Sequence, residues 1–408
     1  MKKTLANIFA EKHDAEERRP YNIALVLISL ALLSIGFIMV TSASMPEGVR
    51  LFDNPYHFAI RHLIYIALAF IAAVITLNLP MAFWRMGNVY LLLLATALLV
   101  AVLIIGREVN GSTRWLVIGP ITVQAAEPAK LFFFCYLAGY LVRRHEQVTE
   151  NLKGFIKPLI VFFVLAFLLL MQPDLGTVVV MFMTTLALLF LAGARLWQFF
   201  ALGFTGIAAF VLLIVYSDYR KKRLMSFWDP WADPFGTGYQ LTQSLMAFGR
   251  GSWFGQGLGN SVQKLNFLPE AHNDFIMAIV AEELGFIGIF IILALLLSLV
   301  VIALKIGNNA LQNDKPFEGF LAYGIGIWFS FQTAVNLGAA TGMLPTKGLT
   351  IPLVSYGGSS LIIMAVAVAI LLRIDFELRV SGIQAMLKNP RKRRKRKAAN
   401  ESMEEASA

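Results

Sequence analysis

Long apolar runs separated by short polar gaps dominate the chain, with none of the strict alternation that marks half-buried strands. Windows of about 20 apolar residues, the length that crosses a bilayer as a helix, fall near residues 21–42, 58–78, 89–106, 127–142, 158–172, 176–193, 198–217, 275–304, 319–338 and 360–375. The fifth and sixth are separated only by a tight turn at Gln172-Pro173-Asp174. The pattern predicts an all-α polytopic membrane protein of ten spans. A polar segment, 1–20, precedes the bundle of 21–375, and a basic tail, 376–408, follows it. One long segment, 218–274, is too polar to span and too structured in composition to be a linker. The run from Tyr21 is long enough to stay in the bilayer and lacks a small-residue cleavage site, so it predicts an anchor and not a removed signal.

Composition agrees. The 408 residues are 58% hydrophobic and 15% charged, against about 25% charged in a soluble domain. One cysteine, Cys135, lies inside an apolar run; this excludes an intramolecular disulfide and a cysteine metal cluster and suits a small packing residue.

The net charge of +10 matters through its placement. With the N-terminus inside, cytoplasmic segments hold 23 of the 35 Lys and Arg. Six of the remaining cations lie in 218–274, and long loops translocate largely regardless of charge. Both termini are therefore expected in the cytoplasm and the long loop outside. The basic run Arg391–Lys397 reads as a disordered topology anchor or as an attraction to anionic inner-leaflet headgroups. Without interleaved aromatics or a folded reader, it does not point to nucleic acid.

Ionisable residues at or inside spans are costly and default to function. Glu127 and Lys130 open the fourth span on one face, three residues apart and able to pair, with Pro128 in the first turn, where its missing N–H costs nothing. Asp174 stands at the start of the sixth span, as a cap would. Asp274 opens the eighth span amid Glu270, His272 and Asn273, and can be read as a cap or as a reactive carboxylate. His272 reads as a hydrogen-bonding neighbour more than as a metal ligand, since no metal-ligand spacing accompanies it. Glu282 and Glu283 lie deeper and must face the interior or a cavity. Between the last two spans, Lys347 is the only charge of a loop with two prolines and the run Ser355-Tyr-Gly-Gly-Ser-Ser360. That composition suits a shaped, re-entrant loop covered by protein.

The long segment opens on Arg220-Lys221-Lys222-Arg223, continues through two Asp-Pro steps and reaches a glycine-rich run, Gly249 to Gly259. The run lacks the G-K-[ST] ending of a phosphate loop and follows no strand. Close backbone approach to a helix or ligand accounts for it better.

Six ordered motifs carry a family resemblance: Gln172-Pro-Asp-Leu-Gly-Thr177, the stretch Tyr239 to Ser244, Gly255-Gln-Gly-Leu-Gly259, Pro269-Glu-Ala-His-Asn-Asp274, Leu344-Pro-Thr-Lys347-Gly, and Ser355 to Ser360. Over roughly residues 20–380 the chain resembles the SEDS family (shape, elongation, division and sporulation), and most of all its division-type members from Gram-negative bacteria. It departs from the family pattern at Ala125 and Pro128. The resemblance implies a ten-span peptidoglycan glycosyltransferase at the inner membrane of the division septum. Its active site would face the periplasm and polymerise lipid II beside a septal class B penicillin-binding protein and other divisome membrane proteins. It also implies Asp274 as the essential aspartate, with Glu127, Lys130 and Asp174 lining a central cavity.

The residues suit that chemistry. A polyprenyl diphosphate departs readily once its charge is met, so the reaction needs one base for the acceptor hydroxyl and no protonating acid, unlike a glycosidase with two carboxylates. Asp274 is the expected base. Lys347, Lys130, Arg250 and Lys264 are the candidate cations for the diphosphate, with His272 and Ser355 as further substrate-binding candidates. A divalent cation, Mg or Mn, could share the task, although no dedicated cage is evident. Two rivals remain open: a lipid II flippase, which would use deep groups such as Glu282 and Glu283, and a non-enzymatic divisome scaffold.

Overall fold

The computed structural model describes residues 21–109, 112–118, 121–216, 221, 227–345 and 348–388. All ten expected spans are helices: α1 (Ile23–Phe52), α2 (His57–Asn78), α3 (Met81–Ile105), α4 (Ala126–Arg143), α6 (Leu152–Met171), α7 (Leu175–Leu191), α8 (Leu196–Val215), α10 (Ile276–Gln312), α11 (Pro316–Ala340) and α12 (Gly358–Lys388). Outside those windows lie α5 (His145–Glu150) and α9 (Tyr239–Gly251), the latter within the long polar segment. Lys347, Arg220, Lys222, Arg223, the first twenty residues and the Arg391–Lys397 run lie outside the described residues.

The expectation of an all-α chain needs one correction. Between α3 and α4 the strands β1 (Arg107–Val109), β2 (Ser112–Ile118) and β3 (Ile121–Gln124) form an antiparallel sheet in the order β1-β2-β3, with Trp115 opposite Gln124 and Ile118 opposite Ile121. Strand β2 reads Ser-Thr-Arg-Trp-Leu-Val-Ile, rich in the β-branched and aromatic residues that suit a pleated surface. A window tuned to 20 apolar residues passes over strands this short.

The bundle turns apolar side chains outward, and its interior is a largely apolar core in which a smaller set of polar side chains is buried. On α2, Ile60, Leu63, Ile64, Phe70, Ile71 and Ile75 are exposed while His62 and Thr76 are buried. Only five of its 22 residues are buried, whereas α4 buries fourteen of its 18. Helix α4 is therefore central, and Glu127 and Lys130 near its start are interior. The buried hydroxyls of Thr184 and Thr185 find partners within their own helix: Thr184 donates to Val180 O and Thr185 to Met181 O. Among the described residues, five helices are long and apolar enough to cross a membrane by length and composition: α1, α2, α3, α6 and α10. Asn22 caps α1 by accepting from Leu25 N at 3.2 Å. That helix runs ten residues past the expected end at 42, carrying Ser42 and Glu47 inward.

Helix α10 is interrupted at Gly285, whose φ of 68° and ψ of −165° are open essentially only to glycine. Phe286 N and Ile287 N donate to Ser252 O and Trp253 O, at 3.0 and 3.3 Å, instead of to the carbonyls four residues back. Those carbonyls, Glu282 O and Glu283 O, accept from Gln256 N and Gly257 N, at 2.9 and 3.0 Å. The glycine-rich run thus fills the break in the helix and leaves these backbone groups satisfied. A Cβ on Gly255 would stand 2.1 Å from Glu283 O, which is why the run is glycine-rich where it meets α10. Ser244 Oγ on α9 donates to Ala340 O at 2.6 Å and ties the same unit to the end of α11.

Gly285→Ala places a Cβ 2.4 Å from Gly255 N and 2.5 Å from Trp253 O. The strained backbone alone costs about 2 kcal/mol. The purified variant is expected to melt several degrees below the parent by intrinsic fluorescence or by light scattering. A parental Tm would contradict the account of the break.

Candidate active site

Asp274 stands at the mouth of α10, one residue before the cap position, Phe275. Its main chain is held from α11: Asn336 Nδ2 donates to Asp274 O at 2.9 Å. The same buried amide donates to Leu349 O, so one side chain joins the Asp274 peptide to the loop between α11 and α12. On that loop, the Cα of Gly348 faces both Asp274 Oδ2 and Arg114 Nη1, which lie 3.2 and 3.7 Å from where its Cβ would be. Arg114 projects from β2. Its Nε donates to Gln172 O at 3.0 Å and its Nη2 to Pro173 O at 2.7 Å. The sheet therefore carries a guanidinium to the same side of Gly348 as the Asp274 carboxylate and fastens it to the turn between α6 and α7. Asp174 follows that turn and caps α7, accepting from Thr177 N at 3.1 Å and Thr177 Oγ1 at 2.8 Å.

Glu127 and Lys130 pair as the spacing predicts, at 3.1 Å. Both are buried. The pair continues inward, with Lys130 Nζ donating to Gln332 Oε1 at 2.9 Å and lying 5.0 Å from the Trp328 ring centroid. Gln332 in turn donates to Thr350 O at 2.9 Å, and the Thr350 and Ser360 hydroxyls are 2.8 Å apart. Ser355 Oγ accepts from Ile351 N at 2.8 Å and shapes the same loop. Gln332 and Asn336, four residues apart on one face of α11, are thus the two amides that hold the loop. The second carboxylate oxygen of Glu127, Oε2, is buried without a hydrogen-bond partner. Pro128 lies in the first turn of α4 and does not disturb the helix.

The other sequence candidates sit elsewhere. His272 is buried against Phe58 and Tyr356, with its Nδ1 3.4 Å from Glu47 Oε2. Burial pushes its pKa down to about 4, so it is neutral at pH 7 and acts as packing beside Asp274. Its carbonyl accepts from Tyr356 N at 3.0 Å. Lys264 is buried and paired with Glu283 at 2.7 Å. Arg250 is half exposed, 3.6 Å from Glu282. Glu282 also accepts from Ser261 Oγ, Val262 N and Gln263 N. The structure thus gathers Asp274, Arg114, Gln332, Asn336, Lys130 and Glu127 around one loop. It places Lys264 and Arg250 in a second cluster, at the break in α10. Among the described residues, no three His, Cys, Asp or Glu converge as a metal ion would need.

The chain has known relatives. A family model for FtsW, RodA and SpoVE, described as cell cycle proteins, matches residues 23–380. The chain belongs to this family. Among its relatives, a probable peptidoglycan glycosyltransferase FtsW from Alteromonas naphthalenivorans is 69% identical over 399 residues, covering 98% of this chain and 78% of that protein. One of the same name from Escherichia coli O6:H1 is 56% identical over 382 residues, covering 94% and 92%. Among solved structures, a chain from a study of the structural coordination of polymerization and crosslinking by a peptidoglycan synthase complex matches with a TM-score of 0.73 at 26% identity, over 88% of this chain and 98% of that one. The rod shape determining protein RodA of Thermus thermophilus matches with a TM-score of 0.64 at 25% identity, over 87% and 96%. With several helices able to cross a membrane, this member of the FtsW/RodA/SpoVE family is a multi-pass membrane protein.

Arg114, Gln332 and Asn336 escaped the sequence reading. A lone arginine between spans looks like any topology charge. The two amides carry a readable signal, since polar residues four apart on an apolar helix share one face.

Lys130→Met would strand the Glu127 carboxylate in the interior, a loss of about 3–5 kcal/mol when a buried pair loses one partner. The expected result is a lower Tm, most of which returns in Lys130→Met/Glu127→Gln. Equal melting of single and double variants would show that the pair carries no such coupling.

Proposed function

We propose that this FtsW/RodA/SpoVE family member is a peptidoglycan glycosyltransferase that polymerises lipid II during septal wall synthesis, with Asp274 as the base on the acceptor hydroxyl. The reaction class rests on the names of its relatives and on the fold it shares with a peptidoglycan synthase component. The observation that carries the assignment of roles is the meeting of a carboxylate and a guanidinium across Gly348. The acceptor oxygen attacks the anomeric carbon of the donor and gives its proton to Asp274. The bond between that carbon and the diphosphate oxygen breaks, and its electron pair leaves with undecaprenyl diphosphate. Direct displacement inverts the sugar carbon. Arg114, aimed at the same gap, meets the charge that develops on the leaving group, the electrostatic term that usually dominates. Lys130 lies further inside, paired with Glu127 and bonded to Gln332, and supports the loop that bears Gly348.

The distribution of Lys and Arg supports cytoplasmic termini and an outer position for the segment before α10. The site would then open at the periplasmic face of the inner membrane at the septum, next to a class B penicillin-binding protein and other divisome membrane proteins. The flippase reading leaned on Glu282 and Glu283. Both are taken up in holding an outer loop, which favours the transferase.

The test uses the purified protein with its penicillin-binding partner and lipid II. Polymer is expected from the parent, and none from Asp274→Ala, with partner binding unchanged. Full polymerisation by Asp274→Ala would sink the base assignment. Lipid II movement across liposomes by the parent, without polymer, would favour the flippase.

A further inference from the structure

The break at Gly285 divides α10 into residues 276–284, which continue directly from Asp274, and residues 286–312. The short part is a piece of helix of little more than two turns, and the fold must set its rotation independently of the longer part. One buried cluster stands at its far end. Lys264 Nζ donates to Glu283 Oε1 at 2.7 Å and to Ser42 Oγ at 2.9 Å, and Ser42 Oγ donates to the Glu283 carboxylate at 2.8 Å. Lys264, Glu283 and Ser42 are all buried. The three side chains come from the outer loop, from the short part of α10 and from α1.

We infer that Lys264 is a positioning residue that, through Glu283 and Ser42, locks the short helix bearing Asp274 against α1. It is not a ligand of the diphosphate. Its ammonium charge is already matched by a buried carboxylate, so recruiting it to a substrate would leave Glu283 buried and unpaired, which is strongly unfavourable. The chain between Lys264 and Asp274 is fixed at both ends. Upstream stands the cluster, helped by Glu282, which binds Ser261 Oγ and the amides of residues 262 and 263. Downstream, Asn336 holds Asp274 O and Tyr356 N holds His272 O. Releasing the upstream end frees the short helix to turn about Gly285 and moves the carboxylate from its place opposite Arg114. A displacement of about 1 Å at a reacting group costs up to about a hundredfold in rate.

The kinetic arm of the test rests on the glycosyltransferase reading, and the exchange arm does not. Polymerisation of lipid II by the full chain with its partner is measured for Lys264→Met, for Lys264→Met/Glu283→Gln and for Ser42→Ala. Lys264→Met is expected to lower kcat about tenfold or more with KM within about twofold of the parent. The double variant, with no stranded carboxylate, is expected to recover most of that loss. A rise in KM at unchanged kcat, not relieved by Glu283→Gln, would make Lys264 a substrate ligand and overturn the inference. Hydrogen exchange of amides 265–275 is followed in the same proteins without substrate. Exchange is expected to quicken about tenfold in Lys264→Met and to slow again in the double variant. Unchanged exchange in Lys264→Met overturns the inference whether or not the parent makes polymer. Should Lys264→Met fail to fold, Ser42→Ala, which keeps the ion pair, is expected to give the same changes in weaker form. Parental kcat and exchange in Ser42→Ala would then count against the lock.

Discussion

A backbone group inside a membrane protein must find a partner within the protein, and the fold is built around one place where a helix gives up its own. Helix α10 surrenders hydrogen bonds at Gly285, and the glycine-rich run supplies the replacements: amides of residues 256 and 257 for two carbonyls, and carbonyls of residues 252 and 253 for two amides. This exchange fixes a long polar segment to the bundle without burying an unpaired group. It also creates a short piece of helix with Asp274 at its mouth. The acidic pair just before the break, Glu282 and Glu283, grips the same segment with its side chains.

Two other parts of the chain come to Asp274 on equally specific connections. Strand β2 brings Arg114, fastened to the carbonyls of Gln172 and Pro173. Helix α11 brings Asn336 and Gln332, which bind the backbone at Leu349 and Thr350 and so place Gly348 opposite the carboxylate. The buried Lys130–Glu127 pair stands behind this loop and lends it an electrostatic anchor through Gln332. The site is thus a seam between α10, α11, the small sheet and the loop before α12.

Much of this was legible beforehand. The ten apolar windows all became helices, since apolar length is a strong signal wherever lipid is the solvent. The Glu127–Lys130 pair followed from its spacing, and the glycine run was rightly read as a place of close backbone approach. The sheet was not foreseen. Its strands are short, although Asn110-Gly111 between β-prone stretches is a hairpin signal that could have been weighed. The end of α1 was placed too early because hydropathy falls at Ser42 while helical geometry continues to Phe52. In the sequence Lys264 is a candidate for the diphosphate because a sequence shows a charge without its partner. Glu283, nineteen residues on, becomes that partner only through the fold.

The most direct measurement is a structure of the protein, with its penicillin-binding partner, holding a lipid II donor and a glycan acceptor. The account predicts the acceptor hydroxyl at about 2.6–3.2 Å from an Asp274 carboxylate oxygen, with the donor diphosphate on the Arg114 side of Gly348. An acceptor hydroxyl seated elsewhere, with Asp274 touching neither sugar, would contradict it.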